Sequence, residues 1–218
     1  MLEKMNEFFD KRIDGYDDHM RKAIENYHEF YEHVVSEIDV DRDLNILILG
    51  CGTGAEVTYL LNKTNRFKLT CYDLSTEMLK TFESKFSGQF EMTLKQTSYF
   101  NLEEVDAYDY VIAVMTMHHW DHNEKSELYR KIFQALKNNG VYIEGDYYVT
   151  LEDESRYLKE RDNQLKDHDA DYYHIDIPFH FSTQKKLLED VGFKGFKRLY
   201  VHNQKEVHRV TCDKFTKL

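Results

Sequence analysis

Several kinds of residue and segment are scarce among the 218 residues of this sequence, and each scarcity excludes a class of protein. There is one proline, Pro178, and no glycine–serine run, so the sequence shows no flexible hinge between domains. Three widely spaced cysteines, Cys51, Cys71 and Cys212, form no C-x-x-C pair, which argues against a disulfide framework or a cysteine zinc site. No run of eighteen apolar residues occurs, so we expect no membrane association. The charged N-terminus is unlike a signal peptide, and we expect a cytoplasmic protein.

Charge is unevenly distributed along the chain. The formal net charge is −11, which disfavours a nucleic-acid partner, yet residues 185–218 carry nine Lys or Arg against four Asp or Glu. This basic segment is either a nucleic-acid patch or a set of lysines that protects terminal edge strands from aggregation, and we favour the second interpretation. The composition leaves a homodimer open.

Hydrophobic periodicity predicts a helical lead-in over residues 2–38, followed by alternating strands and helices. Strands are predicted at 45–49, 67–72, 91–95, 110–115 and 141–149, with helices at 55–62, 77–86 and 124–137 and a helix stop at 138–140. A charged helix at 151–166, an irregular stretch at 167–181, a helix at 183–191 and strands at 196–201 and 207–213 complete the chain. This alternation predicts an α/β fold with a mostly parallel sheet covered by helices on both faces.

We predict a single domain over residues 1–218, divided into four parts. These are an N-terminal helical cap (1–43), a cofactor-binding core (44–150), a lid or substrate segment after the fifth strand (151–182), and a C-terminal helix with two strands (183–218). The irregular stretch is assigned to the lid because long loops in compact domains commonly serve function.

A glycine-rich loop, Gly-Cys-Gly-Thr-Gly at residues 50–54, follows the first predicted strand directly. Glycines here permit a tight strand-to-helix turn and close approach of a ligand to the backbone. The loop also fits the dinucleotide fingerprint of dehydrogenases, so it does not identify the ligand alone. Asp73, at the end of the second strand, can accept two hydrogen bonds from ribose hydroxyls. Its alternative role is to cap the next helix, for which Ser75 is the better candidate.

Five blocks in this order resemble the class I S-adenosylmethionine-dependent methyltransferases of the small-molecule type. They are residues 48–54, 73–79 and 108–112, the pair His118 and His119, and residues 136–143. The resemblance spans roughly residues 44–150. It implies a Rossmann-like, mostly parallel seven-stranded sheet, S-adenosyl-L-methionine as cofactor, and transfer of its methyl group to an oxygen, nitrogen or sulfur atom of a small-molecule acceptor.

Cofactor residues follow from this resemblance block by block. The glycine loop would line the methionine part, Asp73 would hold the ribose, and Ser98 and Tyr99 would contact adenine, although the acid that many relatives carry there is absent. Met115 would lie near the sulfonium or in the core, and Tyr16 would cap the cofactor or make an ordinary helix contact. The implied set is Tyr16, Gly50, Cys51, Gly52, Thr53, Gly54, Asp73, Leu74, Met78, Ser98, Tyr99 and Met115.

Candidate catalytic residues are His118, His119 and Asp146, which end the fourth and fifth strands at the ligand-binding edge of the sheet. Alternatively, His118 and His119 only shape the strand-to-helix turn that follows the fourth strand. Candidate substrate-binding residues are Trp120, Tyr148, Tyr173, His174 and His180. Several of these side chains are metal-ligand types, but no compact ligand spacing occurs, and we expect no metal.

Three other functions remain open from the sequence. A relative could alter the S-adenosyl group itself, for example by carboxymethyl transfer. A non-catalytic domain could bind S-adenosylmethionine without turnover, and the missing acid after the third strand is the observation in its favour. A nicotinamide-dependent reductase is the most distant alternative, and it would be stabilised by NAD(H) instead.

Overall fold

The chain begins with three helices in this computed structural model, which describes residues 2–169 and 171–215. They are α1 (Met5–Asp10), α2 (Tyr16–Ala23) and α3 (Tyr27–Val35). Gly15, with φ 76°, precedes α2, and Asn26, with φ 54°, precedes α3. Both residues adopt the left-handed conformation, which interrupts the helical path, so the predicted lead-in folds as three short helices.

Seven strands form one sheet in the order β3-β2-β1-β4-β5-β7-β6. The first five strands in chain order are parallel, and β7 lies antiparallel to both β5 and β6, so the predicted seven-stranded, mostly parallel sheet is confirmed. The strands are β1 (Leu44–Leu49), β2 (Phe67–Asp73), β3 (Glu91–Gln96), β4 (Tyr108–Val114), β5 (Leu136–Tyr147), β6 (Lys194–His202) and β7 (Lys205–Thr211). The other helices are α4 (Ala55–Leu61), α5 (Thr76–Phe86), α6 (His122–Ala135), α7 (Leu151–Leu165) and α8 (Phe181–Val191).

Helices cover both faces of the sheet, as alternate residues of β1 show. Ile46 and Ile48 belong to the hydrophobic core that contains residues of α3, α4 and α5. Leu47 and Leu49 belong to the second core, which contains residues of α6 and α8. Because successive side chains of a strand point to opposite faces, a fully apolar strand requires two cores.

The predicted helix stop at residues 138–140 is wrong, because α6 ends at Ala135 and β5 starts at Leu136. Tyr108 pairs with Leu136, whereas Tyr110 pairs with Val141, so β5 contains extra residues at this point. The stretch that reads as a turn in sequence is therefore a bulge within the strand.

The described part of the irregular stretch 167–181 runs across the edge where the parallel strands end. Backbone N–H groups of Met5 and His174 join it to the N-terminal segment, at 2.8 Å from Tyr172 O and 3.0 Å from Glu3 O. The N–H of Ile177 donates to the carbonyl of residue 118 at 2.7 Å. Among the described residues, no helix has the length and apolar character needed to cross a membrane.

Candidate functional site

The glycine-rich loop lies between the carboxyl ends of β2 and β4. The N–H groups of Gly50 and Cys51 donate to the carbonyl of Tyr72 at 2.8 and 3.1 Å. A Cβ on Gly50 would lie 2.5 Å from Thr116 Oγ1, so the chain passes too close to β4's end for a side chain. Gly52, with φ 49°, faces open space. Its backbone is therefore exposed to the cavity that this loop borders.

Asp73 links this loop to the end of β2. Its Oδ2 accepts the N–H of Gly52 at 2.8 Å, and its Oδ1 accepts the N–H of Ser75 at 2.9 Å. Burial raises the pKa of Asp73 to about 6. Ser75 is the N-cap of α5, accepting the N–H of Met78 at 3.1 Å, as the sequence predicts. Asp73 is thus free of the capping role and lines the cavity.

One cavity brings together most of the residues predicted to hold the cofactor. Those that line it are Tyr16, Gly50, Cys51, Gly52, Thr53, Asp73, Leu74, Met78, Tyr99 and Met115. Trp120, predicted to contact substrate, lines this cavity too, and its indole N–H donates to the hydroxyl of Tyr99. The N-terminal helices and α4 add residues that were not predicted to contact the cofactor: Met5, Phe9, Asp17, Met20, Tyr27, Tyr31 and Glu56.

Gly54 and Ser98 are not among the residues that line this cavity, although the resemblance implies a cofactor contact for both. Gly54, the N-cap of α4 with φ 79°, is not among the lining residues, and a Cβ there would lie 2.5 Å from Phe86 and 2.7 Å from Phe82. Its role is close packing of the loop on α5. The hydroxyl of Ser98 accepts the N–H of Phe100 at 3.2 Å, capping a short 3₁₀ turn instead of lining the cavity.

A second cavity adjoins the first and shares Phe9, Tyr16, Met20, Met115 and His119 with it. Met115 follows β4 directly and has a left-handed φ of 52°, a conformation uncommon for a residue with a side chain. The second cavity is also lined by His118, Tyr147, His174 and Asp176. The two cavities therefore share a wall, and Met115 is part of it.

His118 is held by Asp146 at this second cavity. Its Nδ1 lies 2.6 Å from Asp146 Oδ1, and its backbone N–H donates to Oδ2 at 3.0 Å. Both residues are buried. Burial lowers the pKa of His118, but the charge of Asp146 and its hydrogen bond outweigh burial, and the net shift is upward. Asp146 thereby fixes the ring so that Nε2 points away from it, toward Asp176 Oδ1 at 3.5 Å.

Three histidines surround the carboxylate of Asp176. Its Oδ1 lies 3.3 Å from His119 Nδ1 and 3.7 Å from His174 Nε2. Burial lowers the pKa of both His119 and His174, the latter to about 4. The ligand atoms of His118, His119 and Asp176 lie within 4.8 Å of one another, a spacing that could hold a metal ion. A proton shared between a histidine nitrogen and the carboxylate of Asp176 would pair these atoms without a metal. That the protein binds no metal stays a prediction.

Three of the predicted substrate residues are not among those lining either cavity. The N–H of Tyr148 donates to Gln204 O at 2.8 Å, and the guanidinium of Arg198 lies over its ring. Tyr173 forms an isolated β-bridge with Lys4. His180 is the N-cap of α8, accepting a backbone N–H from the helix. Of the lid residues predicted to meet substrate, only His174 lines a cavity. Tyr147 and Asp176, which lie beside the predicted site residues in sequence, also line the second cavity.

The sheet topology and the loop at its carboxyl edge define an adenosyl-binding α/β domain of the Rossmann-like type. Residues 46–140 match the family described as "Methyltransferase domain". The match covers 95 of the 218 residues and supports a class I S-adenosylmethionine-dependent methyltransferase. This similarity favours a methyltransferase over a nicotinamide-dependent reductase.

Known proteins similar to this chain support that assignment. Malonyl-acyl-carrier-protein O-methyltransferase 2 of Ilyobacter polytropus is 24% identical over 187 residues, covering 86% of this chain and 68% of the relative. The YcgJ protein of Bacillus subtilis has a TM-score of 0.67 at 12% identity, covering 86% of this chain and 99% of that one. Human N-acetylserotonin methyltransferase in complex with S-adenosylmethionine has a TM-score of 0.63 at 17% identity, covering 84% of this chain and 52% of the human chain. This chain thus spans about half the length of the human enzyme.

The first cavity fits S-adenosylmethionine. A buried carboxylate, Asp73, can accept ribose hydroxyls, and the exposed backbone of Gly52 permits close approach of a ligand. Leu74, Met78 and the ring of Tyr99 supply an apolar region for a base. These residues would hold the cofactor.

Proposed function

We propose that this protein methylates an oxygen, nitrogen or sulfur atom of a small molecule bound in the second cavity. The observation that carries the proposal is the junction of the two cavities at Met115, with His118 on the acceptor side. S-adenosylmethionine supplies an electrophilic methyl group on its sulfonium. Holding an acceptor against that group can supply several kcal/mol, on the order of 7–11 in ideal cases.

His118 is the group suited to remove a proton from the acceptor. Its Nδ1 is occupied by Asp146 at 2.6 Å, so the proton-accepting atom is Nε2, on the side of the second cavity. Asp146 stabilises the imidazolium that would form and keeps the ring from turning. His119, whose pKa burial lowers, would remain neutral at pH 7 and serve as a wall or hydrogen-bonding partner.

The shape and charge of the second cavity favour a small acceptor with an aromatic or polar part. Its walls are the N-terminal helices on one side and the segment with His174 and Asp176 on the other. Phe8 stacks on His174 with ring centroids 3.5 Å apart, which places two flat rings in the lining of this cavity. The net charge of −11 disfavours nucleic acid as the acceptor. The Ilyobacter relative is named an O-methyltransferase, so oxygen acceptors are the first to test.

The test is formation of S-adenosylhomocysteine with a panel of phenols, carboxylic acids, thiols and amines. With an accepted substrate, His118→Asn should lower kcat by roughly 100-fold or more, in the range of general-base catalysis. His168→Asn, an exposed histidine outside both cavities, is the matched control and should leave kcat unchanged. A His118→Asn protein with wild-type kcat across the pH range would refute the assignment of the base.

A further inference from the structure

Glu56 is a buried carboxylate without a hydrogen-bond partner at one of its oxygens. It is the second residue of α4, is 5% exposed, and lines the cofactor cavity. No described residue donates a hydrogen bond to its Oε1. A buried carboxylate must either remain protonated or meet a cationic partner, because the unpaired charge is expensive to bury.

The other two carboxylates that line this cavity each have a hydrogen-bond donor at both oxygens. Asp73 accepts the N–H groups of Gly52 and Ser75. Asp17 accepts the hydroxyl of Thr53 at one oxygen and the ammonium of Lys85 at the other. Lys85 is thereby committed to Asp17 and to the carbonyl of Thr53 at 3.2 Å. Among these three carboxylates, Glu56 is therefore the one with an oxygen that has no donor within the described residues.

The described surroundings of Glu56 supply one positive charge that acts on its pKa, that of Lys85, which is bonded to Asp17. Burial raises its pKa to about 8; its own backbone N–H and Lys85 act in the opposite direction, and Asp73 adds to the upward shift. The side chains that face it from the neighbouring elements are acidic or neutral apart from that lysine. They are Asp73, Lys85, Tyr16, Tyr27, Tyr31, Cys51 and Cys71.

We propose that Glu56 binds the α-ammonium group of the methionine part of S-adenosylmethionine. A primary ammonium offers three donors and a positive charge, which complement an orphan carboxylate oxygen in a water-poor pocket. Leu74, Met78 and Tyr99 make a mostly apolar region for the base, whereas Glu56, with Asp17 and Thr53, gives the cavity a polar, acidic region. The inference rests on the cofactor assignment and is independent of the acceptor.

Binding measurements with three adenosyl ligands separate this role from a general effect on the cavity. Glu56→Gln keeps the size of the side chain and removes its charge. We expect it to weaken the binding of S-adenosylhomocysteine roughly 10- to 100-fold, since hydrogen bonds to charged groups are stronger than those between neutral groups. The binding of decarboxylated S-adenosylmethionine, which keeps the amine, should weaken by a similar factor. Binding of 5′-methylthioadenosine, which lacks the amino acid, should change less than twofold.

Two further variants act as controls for the same measurements. Asp73→Asn should weaken the binding of all three ligands, because each contains the ribose. Glu83→Gln makes the same chemical change at an exposed position of α5 outside the cavity and should change none. Retained binding of 5′-methylthioadenosine to Glu56→Gln also shows that the variant is folded.

Proton release provides a second readout. With a pKa of about 8, roughly nine-tenths of Glu56 carboxyls carry a proton at pH 7, and an ammonium partner would displace it. Calorimetry in buffers of different ionisation enthalpy should show the release of close to one proton per S-adenosylhomocysteine, and much less for Glu56→Gln or for 5′-methylthioadenosine.

Either of two binding results would overturn the inference. One is an unchanged affinity of Glu56→Gln for S-adenosylhomocysteine, and the other is an equal loss of affinity for 5′-methylthioadenosine. Equal proton release from wild type and Glu56→Gln would also overturn it. If the wild-type protein bound none of the adenosyl ligands, the cofactor assignment would fail first. Failure of every methyl acceptor, with these binding results intact, would refute the proposed function alone.

Discussion

Alanine at Gly54 and at Gly52 should separate the part of the glycine loop that maintains the fold from the part that meets the ligand. Both residues have left-handed φ angles, 79° and 49°, so alanine at either position costs about 1 kcal/mol in backbone strain. At Gly54 the new Cβ would also lie 2.5 Å from Phe86 and 2.7 Å from Phe82. Overpacking a core adds about 1–3 kcal/mol. The total for Gly54→Ala is then about 3 kcal/mol, against about 1 kcal/mol for Gly52→Ala.

Thermal unfolding and calorimetry with S-adenosylhomocysteine test this difference. In a domain of this size 1 kcal/mol shifts Tm by about 2–4 °C, so we expect Gly54→Ala to lose about 6–12 °C and Gly52→Ala about 2–4 °C. At a temperature where both variants are folded, Gly52→Ala should bind the ligand more weakly, since its methyl enters the cavity space, whereas Gly54→Ala should bind nearly as wild type. Equal Tm losses, or normal affinity in Gly52→Ala, would refute the reasoning.

Three further predictions concern the two cavities. Asp73→Ala should remain folded but bind S-adenosylhomocysteine roughly 10- to 100-fold more weakly by calorimetry, because charge-assisted bonds to the ribose are lost. Asp146→Asn should lower the pKa of His118, whose upward shift depends on that charge, so the acidic limb of the kcat/KM profile moves to lower pH; an unmoved limb would exclude His118 as the titrating base. The stability that this raised pKa contributes is fully present below the unfolded-state value of about 6.5 and is lost as pH rises through the folded value, and Asp146→Asn should abolish it in pH-dependent urea titrations. EDTA should leave the rate unchanged, whereas a loss restored by a divalent cation would place a metal at His118, His119 and Asp176.

Strands and their ends were predictable because a buried parallel strand is marked by an uninterrupted apolar run. The strand ending at Leu49 and the strand ending at Asp73 place their next residues at one edge of the sheet. Ten of the twelve cofactor residues that the resemblance implies line one cavity there. The bulge at the start of β5 was not predictable in the same way. Asn139 and Gly140 carry turn propensity, but the N–H of Asn139 donates to Cys212 O at 2.7 Å and the N–H of Cys212 donates to Gly140 O at 2.8 Å, contacts that no local pattern predicts.

Long-range contacts were beyond the sequence, because they depend on how separate segments dock. Glu56 reads as an ordinary acidic residue in the first turn of a helix, where it favours the helix dipole. Its burial arises from α2 and α3 packing over α4, which no local pattern encodes. Asp176 likewise lies in an irregular stretch, and it meets His119 because contacts of Ile175 and Ile177 with residues 118 and 119 join the two segments.

The charge that positions His118 depends on a second buried residue. Asp146 lies in β5 where burial favours its neutral form, yet its pKa is lowered, because His118 and then Lys125 stabilise the carboxylate. Lys125 is 2% exposed, donates to Gln184 Oε1 at 3.0 Å and lies 4.0 Å from the centroid of the Phe179 ring. A buried cation is retained only where neighbouring anions or rings offset its lost hydration. Lys125 therefore helps to keep Asp146 ionised, and an ionised Asp146 can orient His118 without itself exchanging a proton during the reaction.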